Sequence, residues 1–404
     1  MIVPHRLVAA SLLIGALLLS AVMAAPQAQA NRSASDFAAR LSPDDRREFE
    51  AWYKAWTFYQ AEKDAFWDKV EATRKARRQK IRTGKLVTKA DYVNEFPPEF
   101  QGPTLSKRLA AEWSKYQAAG TETRKPATDL PDLNAYLAAA KRHYGFEPER
   151  IPEREFKRRY AREALRLGLT REQVVRVYAL ETGGIGTADM QAGIHPLRRT
   201  GKPISSALGY AQLLSANTVD ELVKHGPEFV ARLESMAASG HISEERRERL
   251  RAKAVALRKM IKKAKSVPHG WSHHQEFAKT GPGMGMHPIN IDGDIGPWIQ
   301  VIKLKGIKDF AERKNRFDLD PTELELMNLA GPATGLEMMT AVGLQMPTVN
   351  FFARRGYERN SIVRGRTSAE LLKALEERMD KNEKNAGAVE FYEVFEQLTA
   401  EARR

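Results

Sequence analysis

The chain has 404 residues, a formal net charge of +14 and no cysteine. The absence of cysteine excludes disulfides, thiolate metal sites, thiol nucleophiles and lipid attachment through cysteine. The positive charge favours polyanionic partners, and cell-wall polymers, anionic lipids and nucleic acids all carry the required charge. The length suggests two or three domains.

Residues 1–30 have the composition of a secretory signal. A short basic start precedes an apolar run from Leu7 to Ala25, and a small-x-small sequence ends at Ala30. We therefore predict cleavage before Asn31 and an exported, periplasmic protein. An uncleaved anchor is the alternative, because the apolar run is nearly long enough to span a bilayer. No later segment is apolar enough to cross a membrane.

Residues 31–150 are predicted to form a helical accessory region. The density of Glu, Lys, Arg and Ala in residues 36–83 is typical of long amphipathic helices. The Pro-rich stretch "NEFPPEFQGPT" at 94–104 interrupts them, and further helices are predicted up to about residue 144. An aromatic stripe in this region is more typical of a core than of a ligand platform. The stripe consists of Trp52, Trp56, Phe58, Tyr59, Phe66 and Trp67.

Residues 151–350 are predicted to form the main domain, with short capped helices at 155–220 and 290–345. Between them, at about 220–290, an insertion contains a basic helix and a Gly/Pro/His-rich loop. His273 and His274 in this loop lack the helical spacing of a two-histidine zinc site, so we predict no metal. A charged helix face is more often solvated than bound to nucleic acid, and we predict no nucleic-acid partner. Residues 351–404 are predicted to be a C-terminal helical segment.

The stretch "VVRVYALETGGIGTADMQ", residues 174–191, has two incompatible interpretations. A strand followed by a nucleotide-binding loop requires Gly-x-Gly-x-x-Gly and an acidic residue about twenty positions later. The third glycine position is Asp189, and no Asp or Glu lies between Met190 and Val219. The nucleotide interpretation therefore fails on its own requirements.

The alternative for this stretch is a helix that ends in a carboxyl group. A capping box at Thr170–Gln173 predicts its start, and Gly183 and Gly184 predict its end. Glu181 continues the apolar face of this helix at i, i+3, i+4 and i+7 spacing. Burial and the negative end of the helix dipole are both expected to raise the pKa of Glu181. Such a group could protonate a departing sugar oxygen, or it could cap a neighbouring helix.

Three segments, in order, resemble the motifs of the lysozyme-like lytic transglycosylases with an SLT-type catalytic domain. In that family a Glu-Ser pair ends a helix, a Gly-Leu-Met-Gln-like stretch forms a cleft wall, and a Tyr-Asn-Ala-Gly-Pro-like turn closes the cleft. The matching residues are Glu181-Thr182, Gly209-Tyr210-Ala211-Gln212 and Met327-Asn328-Leu329-Ala330-Gly331-Pro332, with one extra residue after the asparagine. The resemblance covers roughly residues 155–220 and 290–345. It implies a mainly α, lysozyme-like (goose-type) catalytic domain with helical N- and C-terminal extensions.

The resemblance also implies a reaction, cleavage of the β-1,4 bond between N-acetylmuramic acid and N-acetylglucosamine in peptidoglycan. Glu181 would protonate the leaving oxygen and then accept the proton of the muramic acid 6-hydroxyl, whose attack closes a 1,6-anhydro ring. No cofactor and no metal is required. The expected partners are peptidoglycan strands, with other cell-wall proteins as candidates for the helical flanks. The implied substrate-binding residues are Thr182, Tyr210, Gln212, Asn328, Ala330 and Gly331.

Several of these residues have a structural alternative. Gln212 and Asn328 are candidates to bind the sugars, or they could be structural caps. Tyr210 could stack on a sugar face or pack in a core. The hydroxyl of Thr182 is a candidate to support Glu181.

The chain also departs from the family pattern. Met327 occupies the position of the family's tyrosine, and methionine cannot donate a hydrogen bond. Two other functions therefore remain open. One is a muramidase that hydrolyses with water and uses Asp189 as a second carboxylate. The other is a binding or scaffold protein with a degenerate lysozyme-like domain.

Overall fold

A computed structural model of the protein describes residues 34–120 and 130–404, and this part of the chain is mainly helical. The described ranges contain no β-strand, only isolated bridges. The predicted mainly α class is therefore confirmed. Within these ranges, no helix combines the length and the apolar character needed to cross a membrane. The predicted signal, residues 1–30, lies outside the described residues.

The helices before the predicted insertion are α1 (34–38), α2 (Pro43–Arg82), α3 (Lys107–Gly120), α4 (Leu133–Tyr144), α5 (Glu153–Arg166) and α6 (Arg171–Thr182). The insertion region contains α7 (Ser215–Ala237), α8 (Glu244–Lys265), α9 (Trp271–Phe277) and α10 (Gly281–Met286). It is followed by α11 (Ile295–Glu312), α12 (Pro321–Ala330), α13 (Pro332–Met338), α14 (Arg354–Arg359), α15 (Ser368–Asn382) and α16 (Ala386–Ala402). Short 3₁₀ turns occur at Lys89–Asp91, His287–Ile291, Gly343–Gln345 and Thr348–Asn350.

The described residues form two compact units. The first contains the residues up to Phe66 and those from Pro98 to Gly120. The second contains Trp67–Pro97 and the residues from Leu130 onwards. The second unit thus includes residues from the predicted accessory region, and it holds all three motif segments.

The first unit has an aromatic core. Phe37, Phe49 and Trp113 are buried in it, with ring centroids 4.9 Å apart for Phe37–Phe49 and 5.0 Å for Phe37–Trp113. Trp52 of the predicted aromatic stripe packs against this core, whereas Phe58 is 67% exposed. Part of the stripe is therefore core, and Phe58 is not.

Helix α6, which carries Glu181, has the predicted caps. The Thr170 hydroxyl accepts from the Gln173 backbone N–H, and the Gln173 side chain accepts from the Thr170 N–H. Gly183 ends the helix at φ 66°, a left-handed conformation that disfavours residues with a Cβ. The helix packs against α5, α12, α15 and α16, so the core determines its position on several sides.

The C-terminal segment completes this core. Phe391 and Phe395 of α16 are buried in the same hydrophobic cluster as Tyr178 of α6. The Asn382 side chain donates to the Ala179 carbonyl at 3.0 Å, and the Asn385 side chain donates to the Gly183 carbonyl at 2.8 Å. These bonds satisfy carbonyl groups that a helix end leaves without an intrahelical partner. The segment therefore supports the end of the helix that presents Glu181.

The predicted insertion is part of the second unit's core. Helices α7 and α8 pack against each other, and their apolar residues share a cluster with α4 and α11. The buried ammonium of Lys253 on α8 lies 2.8 Å from Glu149, 2.9 Å from Asp292 and 2.6 Å from Asp294. Three carboxylates outside α8 therefore hold this helix in place.

Helix α12 carries the third motif. Asp320 and Glu323 form a capping box, and Pro321 occupies the first turn. Met327 is fully buried, and a Cβ added to Gly335 of α13 would lie 2.7 Å from the Met327 Cα. The close contact at Gly335 places Met327 in the core of the α12–α13 corner.

Candidate active site

The first and third motif segments meet at Glu181. This residue ends the buried face of α6 and is itself half-buried. The Asn328 side-chain amide of α12 donates a hydrogen bond to Glu181 Oε1 at 3.0 Å. The two residues are 147 positions apart in the chain, so only the packing of α6 on α12 brings them together.

Lys303 of α11 sets the orientation of Asn328. Its ammonium donates to Asn328 Oδ1 at 2.6 Å. Because an ammonium group is only a donor, the asparagine atom beside it must be the carbonyl oxygen. The amide nitrogen therefore faces the carboxyl groups, where it contacts Glu181 and also Glu325 Oε2 at 3.2 Å.

Glu325 is a second carboxyl group that the sequence analysis missed. It lies one turn before Asn328 on α12 and is only 1% exposed. The neighbouring Leu324, Leu326 and Met327 are also buried. A signal was available in the sequence, because Glu325 stands between Leu324 and Leu326 and is followed by Met327, so the packing of these apolar residues carries the glutamate away from water. No second acid was predicted at this position.

Burial dominates the electrostatics of the pair. It raises the pKa of Glu181, and the positive charge of Lys303 opposes this shift. It raises the pKa of Glu325 well above the ordinary value, and the charge of Glu181 adds to the effect. The direction for Glu181 agrees with the sequence-based prediction. Burial also lowers the pKa of Lys303, against the attraction of the two glutamates.

Lys303 also faces a third acid, Glu221 of α7. This carboxyl group is buried, and burial raises its pKa to about 7, with Lys224 and Lys303 acting in the opposite direction. The site therefore contains three carboxyl groups whose pKa values are raised by burial. A carboxyl group that keeps its proton near neutral pH is what general acid catalysis needs.

The other residue of the first motif, Thr182, is buried beside Gly186. Its hydroxyl donates to the Tyr178 carbonyl at 2.6 Å. A hydroxyl group has one proton, so in this structure it is not a donor for Glu181. A Cβ on Gly186 would lie 2.4 Å from the Thr182 Cβ. Thr182 therefore packs the loop after α6 against the helix.

The second motif forms a tight turn. Tyr210 is 1% exposed, donates to Glu153 Oε2 at 2.5 Å and packs edge-to-face on Tyr178. Of its two alternatives, packing is therefore the one that the structure shows. The Gln212 side chain donates to the Gly209 carbonyl at 2.7 Å and caps the turn, while it remains half-buried. A contact between Gln212 and a sugar stays a prediction.

The last two predicted residues follow Asn328 directly. Ala330 ends α12, and Gly331 has φ 87°, a conformation that suits glycine at this corner. Both are half-buried. They can offer a substrate only backbone groups and a small surface, and that role stays a prediction.

Asp189, the second carboxylate of the muramidase alternative, is ion-paired. It lies 2.6 Å from Arg150 and 2.8 Å from Arg199, and its pKa is lowered to about 2 by its hydrogen bonds to these arginines and Thr187. Desolvation acts in the opposite direction and is outweighed. A carboxylate with so low a pKa is a poor general base near neutral pH.

The described histidines do not assemble a metal site. In residues 34–120 and 130–404, no three His, Cys, Asp or Glu side chains converge in a way that could hold a metal ion. His287 is buried, with its ring nitrogens 2.6 Å from the Ser206 carbonyl oxygen and 2.9 Å from Thr218 Oγ1. These contacts give His287 a structural role.

The chain was also compared with known proteins. Scans against protein-family models, curated proteins and solved structures found no match. The geometry and electrostatics around Glu181, together with the motif resemblance, are therefore the basis for a functional proposal.

Proposed function

We propose that the protein is a peptidoglycan lytic transglycosylase in which Glu181 is the catalytic acid and base. The observation that carries the proposal is the contact between Glu181 and Asn328, at 3.0 Å. These are the polar residues of the first and third motifs, and they come from distant parts of the chain. The raised pKa of Glu181 supports the role of a proton donor.

The proposed reaction needs one proton donor and no water. Glu181 gives its proton to the glycosidic oxygen as the bond from C1 of N-acetylmuramic acid breaks. The electron pair of that bond stays with the departing N-acetylglucosamine. The 6-hydroxyl then attacks C1 and returns its proton to Glu181, which restores the acid and leaves a 1,6-anhydro ring. Asn328 holds the carboxyl group in place throughout.

The proposal includes a lysozyme-like catalytic domain in an exported protein. The glutamate at the end of a buried helix supports this architecture, and so do the second and third motifs on separate elements of the same unit. The net charge of +14 suits a polymer that carries peptide-stem carboxylates. The composition of residues 1–30 supports a location in the periplasm.

Digestion of purified peptidoglycan tests the proposal. The wild-type protein, Glu181→Gln and the control Glu172→Gln are compared, with products resolved by mass. Glu172 lies exposed at the start of the same helix, so its variant controls for a lost charge on α6. We expect anhydro-muropeptides from the wild type and the control, and none from Glu181→Gln. Equal release by Glu181→Gln would contradict the proposal.

A binding or scaffold protein is the second candidate. The observation that favours it is the complete burial of Met327, since this side chain can neither donate a hydrogen bond nor face a substrate. In the same digestion, a scaffold would sediment with the wall and release nothing. A hydrolytic muramidase would release products heavier by one water, with free reducing ends.

A further inference from the structure

We propose that Glu181 and Glu325 share one proton and act as a single acid/base unit, with Lys303 as its counter-charge. The proton sharing follows from the arrangement of the side chains themselves. Its use in catalysis rests on the proposed function. Neither the motif resemblance nor a single-glutamate mechanism predicts a role for Glu325.

The bridging amide of Asn328 brings the two carboxyl groups together. One nitrogen lies 3.0 Å from Glu181 Oε1 and 3.2 Å from Glu325 Oε2. Its two hydrogens serve one glutamate each, while the carbonyl end is occupied by Lys303 at 2.6 Å. A single amide group therefore holds both carboxyl groups beside Lys303.

The electrostatics of the two carboxyl groups are linked as well, because the charge of Glu181 raises the pKa of Glu325. Two ionised carboxylates around one amide nitrogen would repel each other, with Lys303 as the cation nearest to both. One proton on the pair removes that repulsion, as in other carboxyl dyads that share a single proton.

The proton resides mainly on Glu325. This side chain is 1% exposed, whereas Glu181 is half-buried. Lys303 favours the ionised form of Glu181, and the charge of Glu181 in turn raises the pKa of Glu325. The resting unit thus consists of a neutral Glu325 beside the carboxylate of Glu181.

The charges around the unit come from four helices besides α6. Lys303 on α11 and the exposed Arg378 on α15 favour ionisation of Glu181. Glu325 on α12 and Glu221 on α7 both act on Lys303. With one proton on the pair, the two glutamates and Lys303 have no net charge. A buried ion pair without net charge is far less costly than an isolated buried charge.

In the proposed reaction, the pair stores the proton that Glu181 delivers. The proton passes from Glu325 to Glu181 and on to the glycosidic oxygen as the C1–O bond breaks. Both glutamates are then ionised beside Lys303. The proton of the 6-hydroxyl returns to the pair as O6 bonds to C1, so the unit ends in its starting state. Glu325 acts through Glu181 and is a positioning and proton-storing residue.

The test is a carboxyl titration that does not depend on activity. The purified wild-type protein, Glu181→Gln, Glu325→Gln and the control Glu376→Gln are labelled with ¹³C at the glutamate carboxyl carbons. Their chemical shifts are followed by NMR from about pH 4 to about pH 9. Glu376 is exposed on α15, so its variant removes a carboxyl group without touching the pair.

Coupled glutamates titrate together. We expect biphasic curves for both signals in the wild type and in Glu376→Gln. In Glu181→Gln the apparent pKa of Glu325 should fall by about one unit or more, because it loses a neighbouring negative charge and gains the attraction of Lys303. In Glu325→Gln the signal of Glu181 should become monophasic. Single-step curves that neither substitution changes would overturn the proposal.

The pH dependence of glycan cleavage supplies the second measurement. The pair should hold its last proton to a higher pH than Glu181 alone, so the alkaline limb of kcat/KM should move to lower pH in Glu325→Gln. A purely structural role would lower the rate without moving the limb. If no variant cleaves peptidoglycan but the titrations are coupled, the proposed function fails and the shared proton stands.

Discussion

Replacement of Lys253 by methionine should destabilise the second unit strongly. Lys253 is 5% exposed, and its ammonium lies 2.8 Å from Glu149, 2.9 Å from Asp292 and 2.6 Å from Asp294. Methionine preserves much of the packing but leaves buried carboxylates without this cation. Removal of one partner of a buried ion pair typically costs about 3–5 kcal/mol.

The remaining contacts place the expected loss at the lower end of that range. Asp292 still accepts backbone N–H bonds from Glu149, Asp294 and Ile295, at 2.8–3.1 Å. Asp294 still pairs with Arg159 and Arg246. We therefore expect the free energy of unfolding to fall by about 3 kcal/mol, because the carboxylates lose their cation but keep their other hydrogen bonds and ion pairs.

Urea unfolding followed by circular dichroism measures the effect, and two further variants define it. Lys262→Met, on the exposed face of the same helix, should change stability by less than about 0.5 kcal/mol. The double variant Lys253→Met/Asp292→Asn should lose less than the sum of its single variants, because the uncompensated charge is removed. A loss of under about 1 kcal/mol for Lys253→Met, or strict additivity in the double variant, would refute the account.

Three further predictions concern pH and backbone conformation. Asp189→Asn should lower the free energy of unfolding near pH 7 by about 2 kcal/mol, because the pKa of Asp189 in the folded protein, about 2, lies below the ordinary 3.8. In urea unfolding, this loss should disappear as the pH falls from about 4 to about 2. Glu221→Gln should instead increase stability at high pH. The pKa of Glu221 in the folded protein is about 7, so the wild type loses folding free energy as the pH rises above about 4.5, and the variant does not. The variant should match the wild type at acidic pH and be about 3 kcal/mol more stable near pH 9, and an unchanged pH profile would contradict this. Gly184→Ala should lower the melting temperature more than Gly183→Ala. Both glycines have a left-handed φ, but only a Cβ on Gly184 would collide with the Asn382 carbonyl oxygen, at 2.1 Å. Equal losses would mean that the neighbouring segment moves away without cost.

Local structure was predictable from the sequence where local chemistry decides it. The capping box at Thr170 and the left-handed Gly183 define α6 through bonds between residues only a few positions apart. The start of α12 at Asp320 follows the same rule. The raised pKa of Glu181 was predictable as well, because its place on an apolar helix face implies burial.

The side-chain environments depended on contacts between distant residues. Tyr210 was a candidate for sugar stacking or packing, and only the position of Glu153 and Tyr178 shows that it packs. The region at 220–290 has the composition of an insertion, yet Lys253 joins it to carboxylates on both sides of it in the chain. Composition describes how polar a segment is, but it does not determine which partner neutralises a charge.

The sequence by itself determined the helical class, both ends of α6, the start of α12, and the identity of Glu181 as a carboxyl group on a buried face. Only the tertiary structure placed Lys303, Glu325 and Asn328 around it. These residues lie more than a hundred positions from Glu181, and no periodic pattern links them. Their convergence depends on the packing of α6, α11 and α12 in one core, where low exposure to water turns separate polar residues into a coupled site.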